Sequence, residues 1–140
     1  MKTKQYDFNT ESDLVFMPFS SQFKQETHQL SYSINYKIVD VAELPKNINR
    51  ELKLYIQGLN RFLLHGSFFL NSSCQHIVYS GNYPLEKNLE QAQRIELQEK
   101  LLQTSELAYH GVSAIQSGSS QASSELSYFL RGLFFLNTFA

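Results

Sequence analysis

LSYSINYKIVDV, residues Leu30 to Val41, decides the fold class. Leu30, Tyr32, Ile34, Tyr36 and Ile38 fall on one side of an extended chain; Ser31, Ser33, Asn35 and Lys37 fall on the other. A period of two predicts a strand with one buried and one wet face, as in an antiparallel sheet. Upstream, Leu14 to Phe19 (LVFMPF) is a second strand-like run, placed at an edge or strand end by Pro18. Ser20 to Gln29, between the two, reads as a polar connection.

Downstream the period changes. Ile48, Leu52, Tyr55, Ile56, Leu59, Phe62 and Leu63 recur at helical spacing, with Pro45 and Asn47 at the entry and Gly66 at the exit. Ser67 to Leu70 (SFFL) and His76 to Tyr79 (HIVY), separated by Asn71, Ser72 and Ser73, predict a hairpin. Gly81-Asn82-Tyr83-Pro84 predicts a break. A second long helix follows from about Glu86 to Gly111, its stripe carried by Leu97, Leu101, Ala108, Val112 and Ile115. Residues 1–115 are thus expected to form a single α+β domain: an antiparallel sheet with two long helices packed on one face.

Residues 116–124 (QSGSSQASS) are Ser- and Gly-rich and read as a flexible connection. Residues 125–140 are an apolar C-terminal segment. Leu126, Phe129, Leu130 and Leu133 fit a short helix, but an internal echo offers an alternative. FLLHGSFFLN (Phe62 to Asn71) and YFLRGLFFLN (Tyr128 to Asn137) align without gaps, so Gly132 could end a helix and start a strand over Leu133 to Phe139.

Length and composition bound the function. The chain has 140 residues, 11 Phe and 8 Tyr, which excludes disorder of the whole. A net charge of -1 argues against a nucleic-acid binder, which needs a concentrated basic surface. One Cys excludes an intrachain disulfide framework and suits a reducing compartment. Met1 to Thr10 is polar, and the apolar C-terminal run is interrupted by Arg131 and Asn137, so a cytoplasmic protein without a membrane span is expected. Arg131 is the only basic residue of that segment, whereas interfacial helices carry several, so membrane contact is not expected.

Signatures of chemistry are sparse. His28, His65, His76 and His110 show no metal-ligand spacing; Cys74 and His76 would share a strand face, but lack the further ligands a site needs. Cys74 has no local feature that would activate a thiolate. No phosphate-binding glycine loop is present. No metal or cofactor is expected, and no catalytic residue is assigned.

Two readings of function remain. In the first, the chain is a non-enzymatic protein-binding module, chaperone- or adaptor-like, and a homodimer is expected. Its contacts to another protein or a second copy would come from Phe129, Leu130, Leu133, Phe134 and Leu136, together with an exposed sheet edge. In the second, a pocket between helix and sheet, lined by Tyr32, Tyr36, Tyr55 and His65, serves a small enzyme or ligand-binding protein.

The element order, with LNRFLLHGSFFLN running from helix into strand and IVYSGNYPL leading to the next helix, resembles the type III secretion chaperone-like fold, including its YbjN-type branch. Leu59, Asn60, Gly66, Phe68, Leu70, Ile77, Tyr79 and Leu85 carry the resemblance, which covers about residues 12–110. It implies a small, often dimeric α+β protein that binds an extended segment of another protein without catalysis.

Overall fold

The structure is a computed structural model and describes residues 20–118 and 122–136, with side chains described through 133. The strand expected over Leu14 to Phe19 lies outside the described residues. Four strands, β1 (Ser20–Glu26), β2 (Gln29–Lys37), β3 (Ser67–Leu70) and β4 (His76–Pro84), form an antiparallel sheet in the order β1-β2-β4-β3. Three helices, α1 (Lys46–Phe62), α2 (Gln91–Gln116) and α3 (Ala122–Leu136), complete the α+β fold.

β2 follows its alternation: Leu30, Tyr32, Ile34 and Tyr36 are all buried. Register carries that face across the sheet, aligning Phe23 with Tyr32, Ile34 with Tyr79, and Tyr79 with Phe68. The helices bury these side chains in one core. β1 was expected to be a polar connection. It is instead a full strand, paired with β2 across a two-residue turn at Thr27-His28. Only Phe23 enters the core from SSQFKQE, so no period of two is visible in its sequence. Polar side chains are ordinary on an edge strand, where they discourage unwanted pairing.

The break expected at Gly81 is also absent, since β4 stays in register with β2 as far as Pro84 opposite Gln29. Gly81 marks a close approach instead. A Cβ there would lie 2.5 Å from the Cα of Gly66, a backbone atom that cannot swing away. Gly66 itself has φ +78, in the left-handed region that favours glycine. Replacing Gly66 by alanine is therefore expected to combine backbone strain with a clash against the Tyr32 hydroxyl, and to lower the thermal midpoint by several degrees in a calorimetric scan.

α1 ends at Phe62, earlier than the apolar stripe suggested. Leu52, Tyr55, Ile56 and Leu59 are buried, whereas Phe62 is 40% exposed. α2 starts later than expected, at a capping box in which Glu90 and Gln93 satisfy each other's backbone N–H groups. It runs past Gly111 to Gln116, and Gly118, with φ +76, follows its last turn.

Gly132 does not end α3, which continues as helix to Leu136, so the strand alternative is overturned for Leu133 to Leu136. The helices interlock through three glycines. Gly58 of α1 receives Leu126 of α3, Gly132 of α3 receives Leu107 of α2, and Gly111 of α2 receives Tyr55 of α1. Each missing Cβ lets a neighbouring side chain reach the helix backbone. Through this packing α3 becomes part of the core rather than an appendage to it.

Candidate binding surface

The four residues expected to line an aromatic pocket do not converge. Tyr36 shares a hydrogen bond of 3.1 Å with the Ser105 hydroxyl of α2 and stacks on Tyr109 at 4.5 Å. Tyr55 donates to the Ala108 carbonyl at 3.1 Å. Tyr32 lies elsewhere, its buried hydroxyl lodged over Gly66 and Gly81. Its ring packs on Tyr79 at 5.1 Å, and Tyr79 donates to the His65 carbonyl at 3.4 Å. The His65 ring rests against Tyr83 at 4.7 Å. Only Tyr32 and His65 therefore share a cluster, joined by Tyr79 and Tyr83. The register of β4 against β2 is the feature that brings these two in.

Burial holds the hydroxyls of Tyr32, Tyr36, Tyr55 and Tyr79 above the ordinary tyrosine range. A group whose folded pKa is raised stabilises the fold below its unfolded value of about 10, and that contribution is lost as pH rises toward the folded value. Stability is thus expected to fall above about pH 10. In an absorbance titration the four buried tyrosines should ionise together with loss of the far-ultraviolet helix signal.

The expected partner-contacting residues divide as follows. Phe129 and Leu133 are both 0% exposed, and Phe129 meets Phe68 edge to face at 6.3 Å. Leu130 is partly buried against the same core. These three spend apolar area within their own chain. Phe134 and Leu136 lie on the last turn of α3, and their side chains are outside the described ones. The large apolar side chains that stay exposed are others, among them Phe62, Leu64 and Phe69 at the junction of α1 and β3. Nothing in their periodicity separates them from core residues.

The two sheet edges differ. On β3, Asn60 of α1 donates to the Phe68 carbonyl at 2.9 Å and accepts from the Phe68 N–H at 2.6 Å. A side-chain amide thus takes the place of a further strand. Gln116 does the same for Val39, exchanging bonds of 2.9 and 3.0 Å. Asn60→Ala is expected to cost about 1–3 kcal/mol, because it strands two part-buried peptide groups; faster hydrogen exchange at the Phe68 amide would report the loss. Among the described residues β1 has no such cover and pairs with β2 alone. Its exposed Lys24 and Glu26 form an ion pair of 3.8 Å, of a kind worth little in water.

β4 is longer than β3. Because Phe68 gives both peptide groups to Asn60, Phe68 and Tyr79 form a non-hydrogen-bonded pair. Alternation then turns the peptide groups of Ser80 and Asn82 toward the β3 side. β3 starts at Ser67, opposite Ser80, so the Asn82 peptide faces no strand among the described residues. Between the end of β4 and the first half of α2 lies a half-open cleft of about 200 Å³. Tyr83, Leu85, Leu89, Leu97 and Leu101 form its apolar wall, and Gln93, Glu96 and Lys100 its polar margin. This cleft was not foreseen, since it joins residues of two separate elements.

Cys74 sits in the loop between β3 and β4 with φ 59, not on the strand beside His76. Its carbonyl accepts from the Val41 N–H at 3.2 Å, which suits a structural role. Among the described residues no group of three His, Cys, Asp or Glu could hold a metal ion, and no helix is long and apolar enough to cross a membrane. No known protein family matches the chain, and no curated protein or solved structure matches it.

Proposed function

We propose that the chain is a non-enzymatic protein-binding module, chaperone- or adaptor-like, that takes up an extended segment of a partner protein. The observation that carries this reading is the unequal treatment of the sheet edges. Asn60 caps the Phe68 peptide on the β3 edge, while among the described residues β1 pairs with β2 alone and the Asn82 peptide at the end of β4 faces no strand. Open edges bind extended peptides through main-chain hydrogen bonds, and neighbouring pockets choose the side chains. The resemblance to type III secretion chaperone-like proteins points the same way, and with it come the expectations of a homodimer and a cytoplasmic location.

The test is binding of fluorescent peptides of alternating apolar and polar residues to the full chain, followed by anisotropy. A subset is expected to bind saturably. If none does, the reading fails.

A further inference from the structure

We infer that the outward face of α1 docks on an anionic membrane surface, with its basic side chains against the headgroups and Leu54 inserted shallowly between them. The inference goes beyond the protein-binding reading and does not depend on it.

The first observation is a basic stripe. Lys46, Arg50, Lys53 and Arg61 are all exposed. At 3.6 residues per turn they fall, with Gln57, within about 80° of one another and run about 22 Å along the helix. The buried Leu52, Tyr55, Ile56 and Leu59 occupy the opposite side. Glu51, the only acidic residue of α1, is half-buried and lies off the stripe. Four of the chain's twelve Lys and Arg residues are gathered here, although the net charge is -1. None of the four is ion-paired among the described residues. Four or more basic side chains clustered on a helix are drawn to anionic lipid headgroups.

Exposed apolar side chains coincide with the charge. Leu54, 55% exposed, adjoins the stripe beside Arg50 and Arg61, and Leu64, 58% exposed, follows the end of α1. Leucines beside basic residues suit the headgroup boundary, where electrostatic attraction and apolar burial add. Area selects the occupant. A single helix ridge about 22 Å by 10 Å offers about 220 Å², well short of the roughly 800 Å² that each partner buries in a stable protein contact. A lipid surface meets each basic side chain separately and needs no matching partner surface. The C-terminal segment has only Arg131 for such a role, and α1 carries the several basic residues that segment lacks.

Co-sedimentation of the full chain with lipid vesicles tests the inference. Binding is expected to vesicles of equal parts phosphatidylserine and phosphatidylcholine, and not to phosphatidylcholine alone. It should fall steeply as added salt screens the charges. Arg50→Gln combined with Lys53→Gln, both on the exposed face, should weaken binding at least about 10-fold. Leu54→Ser should weaken it several-fold while circular dichroism stays unchanged. Unchanged affinity in either variant, or no binding to phosphatidylserine, would overturn the inference. So would capture of a glutamate-rich peptide without vesicle binding, since the stripe would then serve an acidic protein.

Discussion

Phe129→Ala is expected to destabilise the chain by about 3–5 kcal/mol, the usual cost of emptying a phenylalanine site in a packed core. The ring is wholly buried and meets Phe68 on β3, so its loss leaves a hole at the junction of α3 with the sheet. Domains of this size have a total stability of about 5–15 kcal/mol, so the urea midpoint should fall by a large fraction of its value. Leu133, also wholly buried, should behave similarly. An interface residue would respond differently: a normal urea midpoint with lost association would return Phe129 to the role of partner anchor.

Gly111→Ala is expected to destabilise by about 1–3 kcal/mol, although alanine is the better helix former. Helix propensity alone favours the substitution by about 1 kcal/mol. Against that stand overpacking, commonly about 1–3 kcal/mol, and a weakened buried hydrogen bond, another ~1 kcal/mol or more. The new methyl group would collide with the Tyr55 ring and hydroxyl, which point into the notch and bond the Ala108 carbonyl. Neither partner can yield easily, because Tyr55 is 1% exposed and Gly111 lies within α2. A thermal melt checks the sign. Combining the substitution with Tyr55→Leu should recover part of the loss, since a smaller side chain vacates the notch. A stabilised Gly111→Ala protein would contradict the interlocked packing of the three helices.

The same glycines show where the sequence could be read and where it could not. Alternation along Leu30 to Tyr36 identified β2, because a strand with one buried face repeats every two residues. The helical stripe through Leu52, Tyr55, Ile56 and Leu59 was legible for the corresponding reason. Gly81, Gly111 and Gly132 all suggested interruptions, yet each lies inside a regular element and makes room for a neighbour. Local sequence carries no mark that separates a glycine that ends an element from one that admits another chain segment. β1 escaped notice because Phe23 alone cannot display a period. The closure of β3 by Asn60 was equally hidden, since it depends on where α1 crosses the edge rather than on spacing. Phe129 and Leu133 were expected to be partner contacts because a Ser/Gly-rich stretch precedes them. Of that stretch, Gln116 closes α2 and Ala122 to Ser124 already open α3, whose packing buries them.

Amide chemical-shift mapping of the labelled full chain, titrated with an extended peptide of alternating apolar and polar residues, tests the account most directly. The account predicts shifts concentrated along β1 or at the end of β4, with α3 unaffected. Shifts centred on Phe129 and its neighbours in α3, with both sheet edges silent, would contradict it.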